Sequence, residues 1–256
     1  MNDPKMKDLT LKWRQDLLNL KENVKQKVFD PDEALTIAQK MKKNYEDNDV
    51  KPNSDVQNAH IQICKTVDQA KNVLAGYRQH NINYTTTTFN ILISLADNQK
   101  TAAYYFNLML KAGVNPNTYT FNSFIRFSKT VDEGREVIKS MHKYEVKPNT
   151  QSYNALLRLA TNHNAKMEIL KAMEDQNIEI NLVTFNTLIS QANFYSDALK
   201  FFKELKTRNL KPTINTYVTL LKKAQFPQEI REVDKMRKAD DIIANPSWDN
   251  LYQKKR

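Results

Sequence analysis

A period constrains this chain more than any other feature. Phe89, Phe121, Tyr153, Phe185 and Tyr217 follow one another at intervals of 32 residues. The residue after each aromatic gives Asn90, Asn122, Asn154 and Asn186, with Asn58 one period earlier and Val218 one period later. Ile61, Ile93, Ile125, Leu157, Ile189 and Leu221 keep the same register, as do Met109, Met141, Met173 and Leu205 further along each copy. A polar amide that recurs beside a recurring aromatic marks repeated units. A period of this length signals units that cannot bury their apolar faces alone and stack on their neighbours.

Three glycines in 256 residues argue against glycine-rich hairpins and phosphate-cradling loops, so the expectation is an all-α chain. Lys and Arg number 39 against 29 Asp and Glu, a formal net charge of +10. That excess favours a polyanionic partner, nucleic acid ahead of membrane, because no stretch approaches the roughly 18 apolar residues of a membrane span. Cys64 is the single cysteine and excludes an internal disulfide; its apolar surroundings mark it as an inert core thiol. His60, His80, His142 and His163 are scattered without zinc-binding spacing, and no nucleophile elbow or P-loop is present. The expectation is a protein without catalysis, cofactor or metal. Met1–Lys12 is too polar for a secretory signal, and Asp3, Asp8, Asp16 and Glu22 are too many acids for a mitochondrial presequence.

Along the chain, Trp13, Leu17, Leu20, Val24 and Val28 step by four, three, four and four, which predicts an opening helix from about Thr10 to Val28. Asp30 is the expected N-cap of a second helix, with Pro31 in its first turn. Residues 1–53 thus read as a capping helix and a degenerate first unit. Six regular copies are expected at 54–85, 86–117, 118–149, 150–181, 182–213 and 214–247. Each reads as two helices, A and B; in the copy 182–213, Ser196 is the expected cap of helix B. Pro52, Pro116, Pro148 and Pro212 punctuate the boundaries. Residues 248–256 read as a half-repeat and basic tail.

The copies begin Thr-Phe-Asn-Ile-Leu-Ile (88–93), Thr-Phe-Asn-Ser-Phe-Ile (120–125), Ser-Tyr-Asn-Ala-Leu-Leu (152–157) and Thr-Phe-Asn-Thr-Leu-Ile (184–189). They end Val-Asn-Pro-Asn (114–117), Val-Lys-Pro-Asn (146–149) and Leu-Lys-Pro-Thr (210–213). From about residue 30 to 252 the chain resembles the pentatricopeptide repeat family, and none of the copies has the tetratricopeptide start. The resemblance implies a solenoid of helix pairs wound into a right-handed superhelix, whose A helices line a groove for single-stranded RNA at one nucleotide per repeat. It also implies a monomer in a mitochondrion or other organelle.

In that family the residue after the helix-A aromatic and the last residue of the repeat read the base edge together. Carried over, the pairs are Asn58 with Thr85, Asn90 with Asn117, Asn122 with Asn149, Asn154 with Asn181, and Asn186 with Thr213. Val218 with Ser247 leaves the last copy blind. Asparagine offers both an acceptor and a donor to a base edge. Asn followed by Asn or Thr goes with pyrimidines in the family, so a pyrimidine-rich target of about five nucleotides is expected. Of the residues preceding the Thr-aromatic pair, Tyr119 and Val183 are shaped to wedge against a base. Four or seven residues beyond the asparagines, or beyond Val218 in the last copy, Arg126, Lys129, Arg158 and Lys222 share the groove-facing side and suit phosphates. The leading expectation is an RNA-binding adaptor in organellar RNA metabolism. A structural part of an organellar ribosome or other ribonucleoprotein, with ribosomal or RNA-processing proteins as neighbours, and a pure protein scaffold are the alternatives.

Overall fold

The three apolar series set 32 residues apart all end up inside helix interfaces. In the computed structural model, which describes residues 4–255, the recurring aromatics, the Ile/Leu series and the Met/Leu series are each 3% exposed or less. Fully burying such a side chain contributes roughly 1.5–3 kcal/mol, so every repeat brings the same few anchors to its neighbours. The described residues form fifteen α-helices and one short 3-10 turn, with no strand.

Two units can be described separately, the first ending at Phe127 and the second beginning at Ser128. The first contains α1 (Pro4–Lys25), α2 (Pro31–Asp47), α3 (Ser54–Ile61), α4 (Val67–Ala75), α5 (Thr86–Leu95), α6 (Gln99–Lys111) and α7 (Thr118–Phe127). Here α1 packs on α2 and α3, and the A helices α3, α5 and α7 pack in succession with the B helices α4 and α6 behind them. Trp13 and Leu17 of α1 are fully buried, and the Trp13 ring stacks on Tyr45 at 5.1 Å. The second unit contains α8 (Val131–Lys143), α9 (Thr150–Leu157), α10 (His163–Asp175), α11 (Leu182–Ser190), α12 (Tyr195–Thr207), α13 (Ile214–Lys223), α14 (Pro227–Ala239) and α15 (Pro246–Lys255). Its A helices α9, α11, α13 and α15 also pack in succession, the first three with the B helices α10, α12 and α14 alongside.

The helix ends repeat as strictly as the apolar stripes. Asn53, Asn149 and Asn181 accept a backbone N–H of the helix they precede, and with Thr85, Asn117, Thr213 and Asn245 they form a cap series spaced by 32. The third residue of most A helices, Thr88, Thr120, Ser152, Thr184 or Thr216, returns a hydroxyl to the cap's own N–H, which closes a capping box. At the A-to-B turn, Cys64, Ala96, Ser128, Ala160, Ala192 and Ala224 occupy one buried slot that admits only a small side chain. Burial raises the Cys64 thiol to about 12, so it stays protonated and unreactive at neutral pH.

The turn that follows each B helix passes through a residue with positive φ, namely Asp49, Asn81 (after the 3-10 turn Arg78–His80), Gly113, Glu145, Asn177, Asn209 and Asp241. In most of these turns the following N–H reaches back to the helix, as Val114 does to the Met109 carbonyl and Val146 to that of Met141, a Schellman closure. Asparagine and aspartate tolerate this conformation; Glu145, at φ 58°, gains nothing from it.

Three local expectations need correction. The opening helix runs from Pro4 to Lys25, because Lys27 turns left-handed and its successor Val28 bonds back to Asn23, which leaves Val28 exposed. Helix α12 begins at Tyr195, one residue before the expected cap Ser196; Phe194 takes the cap position and makes no side-chain bond there. The last A helix begins at Pro246, capped by Asn245, because the period of 32 holds to the end of the chain, so it starts before residue 248.

His60 is 1% exposed, with Nδ1 2.9 Å from the Tyr77 hydroxyl, and burial lowers its pKa to about 4, with Lys42 adding to the shift. The unfolded chain therefore takes up this proton first. Stability should be level above about pH 6.5 and fall by about 3 kcal/mol as pH drops toward 4, and His60→Phe should remove that slope from urea unfolding measured across the range. In the same assay at neutral pH, Glu145→Gly should add up to about 1 kcal/mol, while Gly113→Ala, at φ 67° in open space, should subtract about as much.

Candidate nucleic-acid interface

The asparagines after the aromatics sit where one repeat meets the next. Asn58 is 5% exposed: its amide donates to Thr85 Oγ1 at 3.2 Å, and its carbonyl accepts from Thr88 Oγ1 at 2.7 Å. One repeat on, Asn90 donates to Asn117 Oδ1 at 3.1 Å and accepts from Thr120 Oγ1 at 2.6 Å. Asn117 Oδ1 also takes the Thr120 N–H as the cap of α7. The two residues expected to read a base are thus bonded to each other, and the second of the pair is a helix cap. With its carbonyl taking both the Asn90 amide and the Thr120 N–H, exposed Asn117 keeps its amide N–H groups for another acceptor.

Around this pair lies an open pocket of about 470 Å³, lined among others by Lys21, Gln62, Asn90, Ser94, Asn117 and Tyr119. Tyr119, the expected wedge, is exposed at its rim and presents a bare ring. Arg126 is also exposed; its guanidinium donates to the Ser94 carbonyl at 2.6 Å and lies over the Phe127 ring at 5.0 Å, which holds it beside the pocket wall. Asn122 is half-buried, and its carbonyl oxygen has no hydrogen-bond partner among the described residues.

The second unit carries the same positions with different bonding. Asn154 is 4% exposed, Asn186 is half-buried, and both carbonyl oxygens are buried without a partner among the described residues. The hydroxyl that would serve Asn154, on Thr184, faces the cap Asn181 instead, at 3.5 Å. An unmet buried acceptor costs about 1–3 kcal/mol, so these carbonyls hold unused capacity. Asn149 and Thr213 are exposed caps, and Asn181 is a half-buried one. Val183 is exposed on α11, while Val218 is buried. Lys129, Arg158 and Lys222 are exposed, with no carboxylate paired to any of them among the described residues.

Sequence reasoning missed that the readers are tied to the caps, although the signal was present: a hydroxyl residue stands two places before Asn90, Asn122, Asn154 and Asn186 and three after Thr85, Asn117, Asn149, Asn181 and Thr213. It also missed Lys21, which lies outside the repeats and has no counterpart in the period. Among the described residues no three His, Cys, Asp or Glu side chains are grouped to hold a metal ion, and no helix is long and apolar enough to cross a membrane.

A family model described as the pentatricopeptide repeat domain matches residues 72–130 and 168–224. Among solved structures, that of PPR10 in complex with an 18-nt psaJ RNA element is 18% identical, over 85% of this chain and 38% of that one, at a TM-score of 0.49. The PPR10 structure from maize gives a TM-score of 0.44 at 18% identity, over 85% of this chain and 39% of that one. The PPR domain of Arabidopsis thaliana protein-only RNase P 1 in complex with tRNA is 15% identical, over 73% of this chain and 90% of that one, at a TM-score of 0.31. This chain therefore spans under half the length of PPR10. No curated protein sequence matches it.

Because Asn58 and Asn90 each bridge two repeats, their first effect on mutation should be structural. Asn90→Ala, which strands the Thr120 hydroxyl and frees the α7 cap, should lower unfolding stability by about 1–3 kcal/mol in the absence of any ligand, measured by urea denaturation.

Proposed function

Because the chain is a pentatricopeptide repeat protein, we propose that it is a non-catalytic adaptor binding single-stranded RNA and reading a short pyrimidine-rich segment, one base per repeat, in organellar RNA metabolism. The observation that carries this reading is the pocket beside Asn90 and Asn117. It combines an exposed amide with free N–H groups, an exposed aromatic ring in Tyr119 and a cation in Lys21, the three elements that a nucleotide requires. A pyrimidine carbonyl is an acceptor for the Asn117 amide, and its ring has a face to lay on Tyr119. Arg126 in the first unit, and Lys129, Arg158 and Lys222 in the second, add exposed positive charge on or just after A helices, in keeping with the net charge of +10.

The burial of Asn58 and Asn90 and their bonds across the joints favour a second reading, in which those amides serve the joints between repeats and the chain binds RNA without reading bases, as a structural part of a ribonucleoprotein. In that case selectivity for base type is lost, and salt dependence remains.

Fluorescence anisotropy with labelled oligopyrimidine and oligopurine RNA separates the two. The proposed reader binds oligopyrimidine more tightly, with affinity falling steeply as salt rises. Replacing Asn122 and Asn154 together by Thr should move preference toward purines, each hydrogen bond to a base being worth about 1 kcal/mol, a factor of roughly five. Equal binding of both RNAs by the wild-type chain selects the structural reading.

A further inference from the structure

We propose that α1, which lies outside the repeats, is part of the RNA-binding face, and that Lys21 contacts the phosphate of the nucleotide seated beside Asn90, Asn117 and Tyr119. This rests on the RNA-binding reading above and adds to it a residue that no repeat position could supply.

The argument starts from how α1 is anchored. Trp13, Leu17 and Leu20 fix one face of α1 against α2 and α3, and Lys21 follows directly on that buried stripe. Its side chain is therefore directed toward the A helices. Lys21 Nζ donates to Gln62 Oε1 at 2.6 Å, and both residues line the pocket. Gln62 follows the last residue of α3 and is the C-cap of that helix.

The electrostatics are uncompensated. Lys21 is half-buried, and no carboxylate pairs with it among the described residues; its hydrogen-bond partner is a neutral amide oxygen. Burial, together with the neighbouring Lys25, lowers its pKa, while Glu22 acts weakly in the opposite direction. A cation held partly out of water with no counter-charge is stabilised by an incoming anion more than a fully solvated lysine would be. It is also the one cation among the residues lining that pocket, whose other groups are amides, hydroxyls, aliphatic chains and the Tyr119 ring. Amide, ring and ammonium together match the base edge, base face and phosphate of a single nucleotide. The two remaining N–H groups of the ammonium are enough for a phosphate oxygen while Gln62 keeps the third.

The experiment titrates the full chain with labelled single-stranded oligouridylate at several salt concentrations, for wild type, Lys21→Met, Lys21→Arg and Asn117→Ala. One phosphate contact contributes a slope of about 0.7–0.9 to the fall of log affinity with log salt, so Lys21→Met should weaken binding roughly fivefold to tenfold at 0.1 M salt and flatten the slope by about that amount. Lys21→Arg should retain both, and Lys21→Met should keep the wild-type preference for oligouridylate over oligoadenylate. Wild-type affinity and slope for Lys21→Met, with Asn117→Ala weakened, overturn the Lys21 contact while leaving the RNA-binding reading in place. Absence of salt-sensitive binding by the wild-type chain overturns both. Melting curves of each variant show that α1 stays docked, and a loss of affinity that follows only a loss of folding also counts against the contact.

Discussion

The fold depends on a hydrogen-bonded link that joins the end of one repeat to the start of the next. A cap residue at the last position of a repeat fixes the first turn of the following A helix, and the hydroxyl at the third position of that helix returns the bond. In the first unit the preceding repeat's asparagine then bonds to both partners, as Asn58 does to Thr85 and Thr88. Apolar burial alone would bring these helices together, but it is non-directional. The polar link fixes the rotation of one A helix relative to the next, because a slip of one residue would break three bonds in a buried place, each costly to leave unmade.

The same link decides what a ligand can meet. Buried asparagines spend their donors and acceptors on the joint, so the group left to face outward is the amide of the cap, Asn117 in the first unit. Under the proposed function, recognition would belong to the pair as a whole, with Asn90 aiming Asn117 and Asn117 meeting the base. In the second unit Asn154 and Asn186 leave their carbonyls without donors, so the joint there is less fully bonded and the amides are less committed to it.

Much of this was legible in the sequence. The 32-residue spacing located the aromatic, Ile/Leu and Met/Leu stripes, and each stripe is buried. The prolines before Asn53, Asn117, Asn149 and Thr213 marked where the A helices begin. Other features depended on geometry that periodicity does not carry. The left-handed C-terminal turns pass through Asp, Asn, Gly and Glu alike, so no single residue type announces them. Phe194 stands at a cap position that Thr or Asn fills in four earlier repeats, and packing of α12 overrides the missing cap bond. Lys21 enters the pocket only because Trp13 and Leu17 dock α1 on α3, a tertiary contact with no echo in the repeat.

The central claim is that the exposed cap asparagines at the repeat joints present their free amides to RNA. Side-chain amide resonances of a nitrogen-15-labelled protein, followed during titration with oligouridylate, test it most directly. The account predicts saturable shifts of the Asn117 and Asn149 NH2 groups, with the Asn58 and Asn90 amides moving little because their bonds to the caps persist. Unmoved Asn117 and Asn149 resonances at saturating RNA would contradict it.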